Sequence, residues 1–410
     1  MKLRALILAV IMAISNPSVV AQSAVFLEDV VFLEERDSGI EGATISPDGE
    51  FVLAYGADSS IFLVDSDDPS NNSKLDWSGN SILFDSSFHP GGQTAMIVGS
   101  GGELLRFVKS NESVESAGGS LNFGDTDLRA VSWNGDGSWA YIGGEMGWLW
   151  RSRAIGDGGG QESFPLEGRG ESDVNGISCI QGSRVCVISS SVDGIGVIDE
   201  EHQVHWIGGY GYPWIDVVCP NDGSSECVVV STDLTIAIVN IDIGEPEKST
   251  IFDNDIVQLQ GVEGAINGIE YQSEGKSLIS VAPFGIIEHD LGLRKSFPWL
   301  ENIDVVDFNT EISDHRIVSS WQTGSNIGWV ITSEGAMISF SPEFQEKKGG
   351  LLEIWIGLVI IGGTLLLISS LIVSSSPGLS RWVSMKIGSD EERERAIKES
   401  RRRSRKKRRA

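Results

Sequence analysis

Histidine is scarce in this 410-residue chain, with only His89, His202, His205, His289 and His315. Of these only His202 and His205 lie close together. Positions three apart on a strand face opposite sides, so the pair cannot readily share one metal. Cysteine is scarcer still: four residues, with no Cys-x-x-Cys spacing. That removes the usual zinc clusters and the disulfide-dense small scaffolds. No Gly-x-Ser-x-Gly, phosphate-loop or zinc-protease motif occurs, so those chemistries have no anchor in the sequence. Positive charge is also short, with 31 Lys and Arg against 58 Asp and Glu, a net −27.

The shortage is uneven. Residues 374–410 hold 13 basic and 5 acidic residues, a local +8. Just before them, residues 354–373 read IWIGLVIIGGTLLLISSLIV, without one charged side chain. About 20 apolar residues cross a bilayer as a helix, and Trp355 and Trp382 stand near the two ends, as interfacial rings do. At the other end Lys2 and Arg4 precede an apolar run that closes on Val19-Val20-Ala21. This is the layout of a secretory signal peptide, with an uncleaved N-terminal anchor as the alternative. Basic residues beside a span mark its cytoplasmic side. The expected order is therefore a signal peptide (1–21), an exported domain (22–345), a juxtamembrane linker (346–353), a transmembrane helix (354–373) and a basic cytoplasmic tail (374–410). The protein would cross the cell membrane once, with its N-terminal domain outside. The exported part, with 16 basic and 53 acidic residues, carries −37. Such a surface repels nucleic acid and suits a saline medium or a cationic partner.

What the chain does have is a repeat. ISPDGEFVLAYGADSSIFLVD, from Ile45, recurs in degraded form from Phe88, Trp133, Cys179, Cys219, Tyr271 and Trp321, at spacings of 43, 45, 46, 40, 52 and 50 residues. Each start residue closes an apolar strand. A Gly three or four residues later suits a turn with positive φ, and two further apolar strands follow. Four strands in about 40–50 residues make one blade of a β-propeller. The expected fold is all-β, with seven four-stranded blades. The extra strand pattern AVFLEDVVFLEE, residues 24–35, has no blade of its own. It can supply the outer strand that the seventh unit lacks, which closes the ring and removes two open edges.

The Ile45 unit, with its strand–SPDG–strand–small turn–strand–Asp order, resembles WD-repeat-like and related propeller repeats. The other units keep the spacing and lose parts of the motif, and none has the Gly-His opening or Trp-Asp ending of eukaryotic WD repeats. The resemblance covers residues 25–342 or so. It implies a binding platform, with ligands at the loops of one face or at the central channel.

Candidate functional residues follow from this frame. Cys179 and Cys186 take the same two places in the fourth unit that Cys219 and Cys227 take in the fifth. Hairpin geometry favours the pairings 179–186 and 219–227, and export permits oxidation. Four free, buried thiols are the alternative. The links between units carry aromatics: Trp77, then Tyr210, Tyr212 and Trp214, then Trp299. In loops these are rigid contact groups for a protein, peptide or glycan. The competing role is sealing the blades. Asn71 and Asn111 open glycosylation sequons. The acidic stretch DSDDPSNN, residues 65–72, offers oxygens for calcium but lacks the Gly and terminal Glu of a helix-loop-helix site. It reads first as a solvated turn, and no cofactor is otherwise expected. In the tail, Ser389 and Glu392 have capping-box spacing ahead of a basic helix. That helix could contact anionic lipid, RNA or a cytoplasmic protein, or simply fix the topology. Two functions fit: a cell-surface scaffold whose acidic propeller binds a partner, and a propeller enzyme (a hydrolase or quinone-dependent dehydrogenase) working at the channel.

Overall fold

Five of the seven glycines expected at the repeat turns adopt the left-handed backbone that glycine takes without strain; in the seventh unit Asn326 takes it instead, and Gly223 lies outside the described residues. Gly49, Gly92, Gly137, Gly182 and Gly275 have φ between 70° and 76°. The computed structural model describes residues 23–35, 37–117, 123–155, 160–220, 224–273, 275–310, 312–342, 363–364 and 375–407. They form two units, divided between Glu343 and Phe344.

The first unit is a ring of seven four-stranded antiparallel sheets. After β1 (Val25–Phe32), the first blade holds β2 (Ile40–Ile45), β3 (Phe51–Gly56), β4 (Ile61–Asp65) and β5 (Asn72–Lys74). The second holds β6 (Leu83–Phe88), β7 (Thr94–Gly99), β8 (Leu104–Val108) and β9 (Ser113–Ser116). The third holds β10 (Leu128–Trp133), β11 (Ala140–Gly144), β12 (Leu149–Ile155) and β13 (Gly160–Pro165). The fourth holds β14 (Val174–Cys179), β15 (Cys186–Ser190), β16 (Gly194–Ile198) and β17 (Val204–Gly208). The fifth holds β18 (Trp214–Val218), β19 (Glu226–Ser231), β20 (Thr235–Asn240) and β21 (Ile256–Gln258). The sixth holds β22 (Ala265–Ser273), β23 (Lys276–Ala282), β24 (Gly285–Asp290) and β25 (Lys295–Leu300). The seventh is β26 (Ile317–Gly324), β27 (Ile327–Thr332) and β28 (Ala336–Pro342), completed by β1. The N-terminal strand therefore closes the last blade, with Val25 opposite Pro342 and Phe32 opposite Ala336. A short helix, α1 (Asn302–Phe308), links blades six and seven.

Each gap between neighbouring blades holds its own apolar cluster. Leu53, Tyr55, Leu83 and Phe107 fill the first gap, and Trp321 and Met337 pack on Val52 and Phe62 in the last. The second and third strands of each blade are covered on both faces, which is why they read as continuous apolar runs rather than alternating ones. Every residue of β3, β15 and β16 is buried.

One regularity has no sequence signature. Each innermost strand carries an extra residue near its start, after the first position in six blades and after the second, Ile266, in blade six, and the register shifts there. The bulge sharpens the local twist and re-aims the residues that follow. The position before it is always large and buried: Ile40, Leu83, Leu128, Val174, Trp214, Ile266 and Ile317.

Both expected disulfides are present. Cys179 and Cys186 are direct cross-strand partners, and both Cys179–Cys186 and Cys219–Cys227 are bonded, with Cα atoms 3.9 and 4.3 Å apart. Each closes a short loop worth about 2–3 kcal/mol on the chain-entropy account.

The second unit contains α2 (Pro377–Lys386) and α3 (Asp390–Lys407). The Ser389 N–H donates to the Glu392 carboxylate at 3.1 Å, one half of the expected capping box. Among the described residues no helix is long and apolar enough to cross a membrane. The expected signal peptide 1–21 and linker 346–353 lie outside the described residues, as does the span 354–373 apart from Gly363 and Thr364.

Candidate functional site

The five candidate aromatics do not gather. Trp214 opens β18 and is fully buried between blades four and five. Its indole N–H donates to the Gly209 carbonyl at 2.9 Å, and its ring meets Tyr212 at 5.5 Å between centroids. Trp299 belongs to β25 rather than to a loop. It is buried between blades six and seven, edge-on to Phe340 at 4.6 Å. Both take the blade-sealing role. Trp77 is half-buried and donates to Glu103, which also accepts from Ser59, tying blades one and two. Only Tyr210, 40% exposed, and half-buried Tyr212 present ring surface to solvent in that link. The shift has a local cause: Pro213 ends the link, and the chain enters the innermost strand one residue later, at the position where every blade places a large core residue.

The other candidates are spread as well. Asn71 and Asn111 are exposed. In the 65–72 stretch the Asp65 carboxylate accepts the N–H groups of Asp67 and Asp68, and Asp68 accepts from Ser70, so the loop caps itself. His202 pairs with the Tyr141 hydroxyl at 2.7 Å and His205 with Asp199 at 2.7 Å, separately. Among the described residues no group of three His, Cys, Asp or Glu is placed to hold a metal.

Around the axis the innermost strands are joined by side chains. Asp85 on β6 accepts from its neighbour Ser86 N–H at 2.8 Å and from Val131 N–H of the next blade at 2.7 Å. Asp216 on β18 repeats this three blades on, accepting from Val217 N–H at 2.8 Å and Ile269 N–H at 3.0 Å. Glu270 on β22 accepts from Ser320 N–H at 2.7 Å and from the hydroxyls of Ser319 and Ser320. Thr44 with Ser86, Ser178 with Cys219 N–H, and Ser319 with the Ala43 carbonyl join three further seams. Arg129 reaches Asp173 at 3.3 Å across the seam between blades three and four. An innermost strand has one edge without a ladder partner, and these groups satisfy it. Burial lifts Asp85 to about 7 against the opposing Val131 N–H bond, with a smaller push from the Asp216 charge; burial lifts Asp216 to about 6 and Glu270 to about 7. A side chain at Gly176 would press on the Asp216 carboxylate, 2.7 Å from its Oδ1. These carboxylates are fastenings between blades, with both oxygens of each engaged by neighbouring donors.

A groove of about 820 Å³ lies between blades five and six. One side is lined by β21, three residues that pair with Thr235–Ala237 of β20, and by the segment 259–263 that follows it. The walls are apolar, with Leu259, Val262, Val281, Phe284, Ile286 and Leu300, and exposed Val257 and Phe297 at the lip. The rim is polar. Arg294 bridges Asp255 and Glu226, fastening the two blades. His289 lines the groove at 5% exposure; its Nδ1 meets the Ser296 hydroxyl at 3.0 Å and its Nε2 has no partner among the described residues. Burial lowers its pKa to about 4, so the ring is neutral at ordinary pH. Size, apolar walls and a few convergent polar groups are the features of a ligand site. Sequence reasoning missed this groove. The available signal was the spacing of 52 residues after Cys219, the longest of the set, which marks the excursion that displaces the outer strand.

No protein-family profile matches the chain, and no curated protein matches it by sequence. Among solved structures it is similar to the Cps50 (Swd1) β-propeller domain of Myceliophteria thermophila, at 9% identity and a TM-score of 0.60, covering 77% of this chain and 99% of that one. In all, 1661 solved chains match. So widely shared a shape carries the fold alone, a WD-repeat-like seven-bladed propeller, and leaves function to the site.

Proposed function

We propose that the protein is a membrane-tethered binding platform, with an exported acidic propeller that holds an extended segment of a partner protein in the groove between blades five and six. The observation that carries this reading is the groove itself: about 820 Å³, apolar inside and polar at the rim. The exposed edges of β21 and β25 flank it, and sheet edges recruit extended peptides through main-chain hydrogen bonds. Apolar side chains of the segment would rest on Leu259, Val262 and Phe297. The −37 of the exported part favours a cationic partner and speeds its approach. The uncharged run 354–373 with its basic flank supports the tether, with the propeller outside the cell membrane.

The test uses the full chain in detergent and a labelled extended peptide alternating Lys with Leu or Val. Binding should weaken with salt and fall at least about tenfold in Leu259→Lys/Val262→Lys, as for loss of a central apolar anchor. Equal binding by wild type and variant would overturn the groove as the site.

A further inference from the structure

The C-terminal hairpin is inside out for a surface that meets water. The large apolar side chains of α2 are exposed, Leu379, Trp382 and Met385 at 44, 55 and 40%, beside exposed Lys386 and with Ile387 just past the helix end at 77%. Spaced by three, the first three share one arc of the helix. The half-buried arc holds Ser380, Arg381, Val383 and Ser384, and Arg381 is paired with Glu399 of α3 at 3.4 Å. A helix packed in water turns its apolar arc inward and its polar arc out. Here three of the four half-buried residues are polar, one of them paired with the companion helix, while the three largest apolar side chains face outward. Arg401, Arg402, Arg403 and Arg405 are exposed toward the end of α3.

We propose that this hairpin lies on an anionic lipid surface, with the Leu379, Trp382, Met385 and Ile387 side chains at the headgroup boundary and the α3 arginines on lipid phosphates. Apolar insertion and a polybasic patch are the two signals that together give stable surface binding. Nucleic acid would satisfy the arginines but leave four large apolar side chains in water. The inference builds on the tether reading, since a span ending at residue 373 would deliver α2 to the headgroup level.

All four native cysteines are disulfide-bonded, so Leu379→Cys gives the full chain a single labelling site for the environment-sensitive fluorophore NBD. Met385→Cys is the second site if the first disturbs the hairpin. The labelled protein is floated with vesicles of phosphatidylcholine alone or with about one-third phosphatidylglycerol, the anionic component that basic clusters select. The expected result is a blue-shifted emission protected from iodide on anionic vesicles. Arg401→Gln/Arg402→Gln/Arg403→Gln/Arg405→Gln should require at least about tenfold more anionic lipid for the same shift. A chain lacking 354–373 should still bind the anionic vesicles through the hairpin. Flotation with no shift at either site overturns the hairpin proposal and leaves the tether standing. A shift with flotation lost at high salt and in the deletion of α2 and α3 alone supports the hairpin and overturns the tether. No flotation overturns both, and a shift produced by RNA but not by vesicles overturns the lipid assignment.

Discussion

Replacing Trp214 by Ala separates packing from recognition. The indole is fully buried, fills the seam between blades four and five and donates to the Gly209 carbonyl. Removing a buried Trp side chain costs about 3–5 kcal/mol. The abandoned carbonyl adds about 1 kcal/mol if water cannot reach it. The expected loss is therefore about 4–6 kcal/mol, a large share of the 5–15 kcal/mol typical of a domain. Urea unfolding of the oxidised protein, followed by near-ultraviolet circular dichroism, reads the change directly. Tyr210→Ala in the same link is the control, and its 40% exposed ring should cost less than about 1 kcal/mol. A Trp214→Ala protein that unfolds within about 1 kcal/mol of wild type, while losing partner capture, would refute the packing role.

Three further outcomes follow. Glu270 titrates at about 7 when folded against 4.5 ordinarily, mainly through burial, so its contribution to stability is complete below 4.5 and is lost as pH rises through 7. Glu270→Gln cannot ionise and should gain on wild type between pH 5 and pH 8 in thermal melts; parallel melting curves at the two pH values, to within about 1 °C, would contradict this. Cys179→Ala/Cys186→Ala and Cys219→Ala/Cys227→Ala should each lower urea stability by about 2–3 kcal/mol, and peptide maps without reduction should show no link between the two blades. Protease added to intact cells should digest the chain before residue 354 and spare the tail, and the opposite pattern would overturn the tether.

The blade count, the closing strand and both disulfides were legible because each rests on spacing. Seven start residues recur at 40–52 residues, one strand pattern is left over, and two cysteine pairs occupy matching places. The role of Trp214 was not legible, since a ring after Gly-Tyr-Gly-Tyr-Pro reads as loop until the bulged innermost strand is seen to begin on it. The fastening carboxylates were hidden for a related reason. Asp85, Asp216 and Glu270 sit inside apolar strands, and only the closed ring brings each beside the N–H group of the next blade. The groove is lined from two blades, by residues of 255–263 and of 281–302, and only the closed ring brings those segments together.

Partner binding at the groove between blades five and six, as proposed above, can be located by crosslinking. A photo-crosslinking residue placed at Phe297, 42% exposed on the groove lip, tests it most directly against one placed at Ile82, 42% exposed between blades one and two. Crosslinking on intact cells should give a discrete adduct from position 297 alone, lost when Leu259→Lys/Val262→Lys is added. An adduct of equal yield from position 82, or one from 297 that survives the groove substitutions, would rule out the groove as the binding site.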